Sequence, residues 1–380
     1  MSETQKHTKP NVPNLRFPGF EEEWKECRNE DLGKVITGNT PPTAETRYYE
    51  NGYKLWASPA DLCGDKYISR TQTRLTEEGF SKTRVVPQGT TLVTCIGSTI
   101  GKMGMASQEM STNQQINSVI PYESTDGQFL YYAIQSQFPR YVKSIAVQAV
   151  PIISKGSFEK LTNYRPNIDE QRRIGSFLDL LDRRITIQNK VIKKYESLIK
   201  ALRRHIYSTI ESEKEVTIAD VLSYEQPTKY IISNTDYSDN QDLTPVLTAN
   251  KAFILGYSEE IEGVYDKGPC IILDDFTLDS KIVDFPFKVK SSAIKILSAK
   301  TSVCLRYIYE YLKFLDLNTE EHKRHYISEI EPMTIELPEE GTIQFIASLF
   351  GRMDQRRKGL ERDLQLLKSQ KDYLLRAMFI

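Results

Sequence analysis

Residues 174–207 read IGSFLDLLDRRITIQNKVIKKYESLIKALRRHIY, and residues 346–379 read IASLFGRMDQRRKGLERDLQLLKSQKDYLLRAMF. In the first stretch Ile174, Leu178, Leu181, Ile185, Gln188, Ile192, Tyr195, Ile199, Leu202 and Ile206 alternate steps of four and three. That is the spacing of a coiled-coil seam, broken only by Gln188. An ungapped shift of 172 residues carries these positions onto Ile346, Phe350, Met353, Arg357, Leu360, Leu364, Leu367, Lys371, Leu374 and Met378. Off the seam, Ser176, Asp182, Arg184, Ser197 and Arg204 meet Ser348, Asp354, Arg356, Ser369 and Arg376 at the same shift. Two unrelated surface helices would share amphipathicity; they would have no reason to match at exposed positions, so the reading is duplication. At a rise of about 1.5 Å per residue each helix is about 50 Å long, a length suited to a spacer.

Working outward, a chain of 380 residues with 39% hydrophobic content can bury more than one core, which sets an expectation of two or three domains. Cys27, Cys63, Cys95, Cys270 and Cys304 are odd in number, scattered and free of C-x-x-C pairs. This speaks against a disulfide framework and a zinc site, and fits a reducing cytoplasm. The first thirteen residues lack a signal-peptide apolar run, and no stretch approaches 18 apolar residues, so neither secretion nor a membrane partner is expected. A net charge of −1 offers no general electrostatic footprint for nucleic acid. DNA binding would have to come from segregated patches or a partner.

Before the first helix and again between the two the chain is β-rich. Short apolar runs separated by turn signals fill residues 54–121, notably 91–96 and 115–120, and residues 129–134 read as helix. Asn167 followed by Glu170 predicts a capping box opening the first long helix. The segment 215–340 repeats the first in order: Leu32-Gly-Lys-Val-Ile36 resembles Ile218-Ala-Asp-Val-Leu222, residues 89–102 resemble 268–281, and Leu130-Tyr-Tyr132 resembles Leu305-Arg-Tyr307. The shift falls from 186 through 179 and 175 to 172, as expected when a second copy has lost loop residues. The pattern predicts two copies of a domain-plus-helix unit.

Several motifs imitate chemistry. Gly97-Ser-Thr-Ile-Gly101-Lys102 has three residues between its glycines and Met103 after the lysine, where a phosphate loop needs four and a Ser or Thr. Asp274, Asp275, Asp279 and Lys281 suggest a metal-dependent nuclease, but the ungapped copy offers Cys95 and Ile100 where Asp274 and Asp279 stand, and a loop of solvated charge is the expectation. His322 and His325 flank Lys323 and Arg324, which would repel a cation, and read as a surface basic turn. No Gly-x-Ser-x-Gly elbow occurs, and four histidines leave little material for acid–base work.

Recognition is the alternative to catalysis. Asn113, Gln114 and Gln115 offer amides able to pair bidentately with adenine, while Arg84 and Lys102 suit guanine or phosphate and Thr99 is a further DNA-binding candidate. Lys251, Tyr257, Thr277, Lys281, Lys288 and Lys290 are the candidates in the second segment. For any one of these residues, satisfying its own loop is the competing role. Two similar domains on long helices suit a target with two separated half-sites.

The chain resembles the specificity subunits of type I restriction–modification systems. The resemblance rests on Leu15-Arg-Phe-Pro-Gly-Phe20 with Trp24, on Ile100-Gly-Lys102 leading to Thr112-Asn-Gln114, on Glu170-Gln171 opening a helix with residues 179–185, and on Phe276-Thr277 through Asp284-Phe-Pro-Phe287. It implies an α+β fold of two β-rich target-recognition domains separated by two long helices in an antiparallel coiled coil, a pseudo-two-fold internal duplication. It also implies a non-catalytic subunit that reads an asymmetric bipartite site on double-stranded DNA. Two methylation subunits would dock on the helix residues and supply adenine-N6 methylation with S-adenosylmethionine; restriction subunits would use ATP and magnesium. The chain itself would hold no cofactor and no metal. On this reading residues 1–167 and 213–340 are the recognition domains, and residues 168–212 and 341–380 the spacers. Arg357, Lys371, Gly351 and Gly359 depart from a clean second helix. No Asn- or Asp-Pro-Pro-aromatic methyltransferase loop is present. The competing classes are a stand-alone nuclease and a purely structural coiled-coil adaptor.

Overall fold

The computed structural model describes residues 11–145, 152–248, 253–300, 304–317 and 323–380. Two compact units divide the chain, Met1–Lys190 with Arg362–Ile380, and Val191–Glu361. The division cuts both long helices, Ile168–Thr209 and Glu340–Ala377, in mid-length, so each unit holds one β-rich domain and half of each helix. The helices begin 172 residues apart, the shift that aligns their seams. Every seam position is buried or half-buried. At the start of the first helix the Asn167 carboxamide accepts the Glu170 N–H at 3.0 Å. The predicted box is only half formed, because the Glu170 carboxylate takes both arms of the Arg16 guanidinium at 2.7 Å instead.

In the first unit a five-stranded sheet runs in the order Gly33–Thr37, Ile116–Pro121, Thr91–Thr94, Met103–Ala106, Tyr67–Ile68. The helix Gly127–Ile145 packs on it through Phe129, Leu130, Ile134 and Phe138. A smaller sheet of Thr73–Leu75, Lys54–Ala57, Met110–Thr112 and Val85–Val86 carries the outer loops. The pair Lys25–Arg28 and Thr162–Arg165 closes the domain where the first long helix begins. The end of the second long helix enters the same core: the Phe379 ring lies 5.6 Å from Phe129 and 6.0 Å from Trp24, and the Leu15 N–H reaches the Ala377 carbonyl at 2.8 Å. Burying one phenylalanine of this kind is worth about 1.5–3 kcal/mol.

The second unit repeats the order with a sheet of Leu222–Glu225, Ile294–Ala299, Cys270–Asp274 and Ser280–Val283, the helix Leu305–Phe314, and the closing pair Lys214–Thr217 with Thr334–Leu337. Its outer sheet is Ile254–Ser258, Thr244–Leu247 and Lys288–Val289. Tyr207, which precedes Phe379 by 172, plays the matching part, with Tyr307, Phe314 and Phe350 around it at 5.3, 5.5 and 6.5 Å.

Backbone hydrogen bonds correct the alignment of one loop. In the first domain the Thr94 N–H binds the Lys102 carbonyl and the Gly101 N–H binds the Thr94 carbonyl, both at 2.9 Å. In the second the Asp274 N–H binds the Asp279 carbonyl at 2.9 Å and the Leu278 N–H binds the Asp274 carbonyl at 3.0 Å. Thr94 therefore answers to Asp274, Gly101 to Leu278 and Lys102 to Asp279, not Lys102 to Lys281. Six residues separate the first pair and three the second, a deletion that an ungapped comparison places elsewhere.

The charged interruptions of the second seam have partners. Lys371 Nζ lies 2.6 Å from Asp182 Oδ1, and Asp182 Oδ2 accepts the Tyr132 hydroxyl at 2.6 Å. Next to it, buried Lys66 meets Asp179 at 2.9 Å and the Tyr132 hydroxyl at 3.0 Å, and the Tyr67 hydroxyl donates to Asp179 at 2.6 Å. Burial pushes the Lys66 ammonium below its ordinary pKa against the pull of Asp179. Burial also acts to raise the Asp179 carboxyl, but hydrogen bonds from Tyr67, Lys66 and Arg183 outweigh it and hold that pKa down. In the second unit Arg357 reaches Asp354 at 2.8 Å and Glu361 at 2.6 Å, and Arg306 reaches Asp354 at 3.4 Å. Asp182 and Asp354, matched by the 172-residue shift, thus each tie a long helix to the helix of a β-rich domain. Gly351 and Gly359 have open space where a Cβ would stand, so packing does not require them. Each weakens the helix by about 1 kcal/mol relative to alanine. Among the described residues no helix is long and apolar enough to cross a membrane.

Candidate nucleic-acid interface

In the first domain three loops meet at one rim: residues 38–43, 82–84 and 112–115. Asn39, which sequence reading passed over, joins them. Its N–H binds the Thr112 carbonyl at 2.9 Å, its amide donates to the Lys82 carbonyl at 2.9 Å and accepts the Arg84 N–H at 2.8 Å, and its carbonyl accepts Trp56 Nε1 at 3.1 Å. Gly38 makes this approach possible, since a Cβ there would lie 2.2 Å from the Thr112 carbonyl oxygen. The only local cue was the turn-forming composition of Gly38-Asn-Thr-Pro-Pro-Thr43.

Arg84 and Gln114 are exposed on this rim; Arg84 donates to the Thr37 carbonyl at 2.8 Å, and the Gln114 carboxamide accepts the Thr40 hydroxyl at 2.5 Å. Asn113 is buried, and its side chain is spent on Gln115, accepting that N–H at 3.0 Å and donating to the Gln115 carboxamide at 3.1 Å. The loop from Cys95 to Lys102 adjoins the same turn: the Cys95 N–H binds the Gln115 carbonyl at 2.8 Å, and a Cβ on Gly97 would lie 3.6 Å from Gln115 Nε2. It carries half-buried Thr99 and Lys102, whose ammonium donates to Cys63 Sγ at 2.9 Å.

The second domain gathers fewer of its candidates. Thr277 and Lys290 are exposed, and Tyr257 lines a cleft of about 430 Å³ with Leu243, Pro245, Ile254 and Phe285. Lys281 is half-buried over the Phe253 ring at 4.7 Å, and burial lowers its pKa. Lys288 is buried and engaged, 2.7 Å from Glu260 and 2.5 Å from the Glu262 carbonyl, so its work is to hold the turn at 258–263 and not to meet a phosphate. Lys251 lies outside the described residues. Residues 213–340 carry 13 Lys and Arg against 24 Asp and Glu, while residues 1–167 carry 19 against 17. The second domain therefore offers phosphates no net attraction.

The apparent catalytic motifs are structural. Asp274 and Asp275 are buried, contrary to the solvated loop expected. The Asp274 carboxylate accepts the N–H groups of Phe276 and Thr277 at 2.8 and 3.0 Å. The Asp275 carboxylate accepts those of His325 and Tyr326 at 3.1 and 2.8 Å and faces Lys295 at 3.2 Å. Only Asp279 is exposed, paired with Lys313 at 2.9 Å. His325 is buried against Glu329 at 2.7 Å and is no surface turn; His322 lies outside the described residues. Burial pushes the thiols of Cys27, Cys95 and Cys270 up to about 11, 12 and 12, which keeps them protonated and unreactive.

The seam residues proposed for partner docking, Leu178, Leu181, Ile185, Ile192, Tyr195, Ile199, Leu202, Phe350, Met353, Leu360, Leu364, Leu367 and Leu374, are buried or half-buried within the chain. The apolar side chains that the helices expose are others: Phe177, Leu180, Ile187, Leu366 and Tyr373 in the first unit, and Val191, Leu198 and Phe345 in the second.

Comparison with known proteins bears on all of this. The family model for a type I restriction modification DNA specificity domain matches residues 21–197. The specificity subunit of the type I restriction enzyme EcoR124I/EcoR124II from Escherichia coli is 44% identical over 127 residues, 32% of this chain and 31% of that protein. The MjaIX specificity subunit from Methanocaldococcus jannaschii is 28% identical over 181 residues, 45% of this chain and 41% of that one. The matches thus span about a third to two-fifths of these relatives. The crystal structure of the type I restriction-modification S subunit from M. genitalium superposes with a TM-score of 0.66 at 15% identity, covering 97% of this chain and 99% of its own. That likeness extends the shared fold to both β-rich domains and both long helices, while the match to the type I restriction modification DNA specificity domain covers residues 21–197.

Proposed function

We propose that this chain is the non-catalytic DNA-reading subunit of a type I restriction–modification complex, its two domains each reading one half of an asymmetric bipartite site. The observation that carries the reading is the rim of the first domain, where Asn39 organises three loops and presents Arg84 and Gln114 outward. An arginine and an amide are the side chains that read guanine and adenine bidentately in the major groove. The second domain supplies Thr277, Lys281, Tyr257 and Lys290 for the other half-site. Its excess of acids argues that phosphate contacts come largely from elsewhere, which fits two methylation subunits that clamp the DNA. Their docking surface is the exposed apolar set on the long helices, with Leu180 and Ile187 foremost, since the seam itself is consumed within the chain. The methylation subunits would bind S-adenosylmethionine, and restriction subunits would use ATP and magnesium, all in the cytoplasm.

The test is co-expression with the cognate methylation subunits, followed by mapping of modified adenines across the host genome. The expected result is methylation confined to one bipartite sequence, lost when this chain is omitted. Methylation that persists unchanged without the chain, or magnesium-dependent cleavage by the chain alone, refutes the reading.

A further inference from the structure

We propose that residues 274–280 form a preorganised reading turn whose base preference is set by two positioning residues that face the protein interior, Asp275 and Leu278. The proposal rests on the DNA-reading function above. Thr277 and Asp279 stand exposed at the tip of the turn, and Lys281 follows them on the strand Ser280–Val283. Beneath the tip the first two residues of the turn hold it. Asp274 caps the N–H groups of Phe276 and Thr277 with its own carboxylate. Asp275, 1% exposed, binds two backbone N–H groups of the segment starting at His325 and pairs with Lys295, itself 3% exposed. Lys295 in turn donates to the Tyr224 hydroxyl at 3.0 Å and lies 4.8 Å above that ring. A buried charge so fully bonded cannot shift without breaking several contacts at once.

Leu278 supplies the second observation. Its φ is 60°, in the left-handed region that L side chains avoid, and the residue is 8% exposed, part of the buried core that also holds Tyr307, Ile308 and Tyr326. The equivalent position in the first domain, Gly101, has φ 87° and no side chain to strain. Glycine therefore suffices to close this connection. The second domain instead accepts a strained leucine anchored in its core and a buried ion pair under the same short turn. Strain that the surroundings over-determine is a mark of a site whose geometry is used, and here it removes the freedom a glycine turn would have.

The experiment uses the full chain assembled with its methylation subunits, selecting bound DNA from a library in which both half-sites are randomised. In D275N the two backbone N–H bonds keep an acceptor while the charge facing Lys295 is lost; in L278G the left-handed backbone stays accessible but the anchor is gone. Both are expected to relax base preference about tenfold or more at one or more positions of one half-site, leaving the other unchanged. K295R, which preserves the ion pair, is expected to retain the wild-type preference. Hydrogen exchange on the isolated chain gives a readout that needs no assembly: amides 276–278 should exchange faster in D275N and L278G. Full retention of preference by both variants, equal loss at both half-sites, or unchanged exchange overturns the proposal. A wild-type complex that selects no sequence at all refutes the DNA-reading function, and this inference with it.

Discussion

Replacing Asp182 by alanine tests whether the buried polar network, and not the apolar seam alone, holds the first unit together. Asp182 accepts the Tyr132 hydroxyl at 2.6 Å and pairs with Lys371 at 2.6 Å. The side chains of the pair are 11% and 14% exposed, so water replaces little of what is removed. Stripping one partner from such a pair leaves the other charge uncompensated, at a cost of about 3–5 kcal/mol. For a folding unit of this size that corresponds to a fall in Tm of roughly 6–20 °C. Both tryptophans of the chain, Trp24 and Trp56, lie in this unit, and Trp24 packs against Phe379 at the end of the helix that carries Lys371. Tryptophan fluorescence during thermal or urea unfolding therefore reports the unit directly. Asp182→Asn keeps an acceptor for Tyr132 and should lose about half as much or less. The double variant Asp182→Ala/Lys371→Met should recover most of the loss, because it removes the orphaned charge along with its partner. A loss under about 1 kcal/mol for Asp182→Ala, or a double variant no more stable than the single, would show that the network is incidental.

Glu310→Ala should destabilise the second unit by about 3–5 kcal/mol, because buried Glu310 receives Arg203 at 2.7 Å and Arg306 at 3.2 Å; amide exchange across residues 305–314 measures it. Gln114→Ala should lower discrimination by about 1–3 kcal/mol at one half-site in a binding selection, whereas a loss uniform across sequences would assign Gln114 to the loop or the backbone. Asp179 has a folded-state pKa below its ordinary value of about 3.9, so its contribution is complete above that value and lost as pH falls through the folded one. Acid titration of stability below about pH 5 should accordingly be shallower in Asp179→Asn than in the wild type, and parallel curves would refute the assignment. Gly38→Ala must displace the turn at Thr112 and should raise proteolytic cleavage of the rim loops, with the fold otherwise retained.

Much of the architecture was legible because it is written in local periods. A seam of threes and fours, repeated at a shift of 172, defines two helices whose observed starts lie 172 apart, since helical amphipathicity depends on near neighbours. The domain copies were legible in order but not in register: residues 32–36, matched in sequence to 218–222, run into the strand Gly33–Thr37, whose counterpart Leu222–Glu225 begins three residues further on, after the short helix Ile218–Val221. Tertiary structure decided what depends on residues distant in sequence. Lys371 and Arg357 look like flaws in a seam until Asp182 and Asp354 stand beside them. Asn39 is an ordinary turn residue until residues 82–84 and 112–115 close around it. Asp275 reads as solvated charge, and only the sheet that brings it beside Lys295, twenty positions on, makes the two a buried pair. The equivalence of Gly101 with Leu278 was beyond an ungapped comparison, because a deletion between strands leaves no periodic trace while the backbone hydrogen bonds that span it do not move. Periodicity is a property of the chain and survives in one dimension; the neutralisation of a charge, or the tolerance of a left-handed leucine, is a property of the space around it.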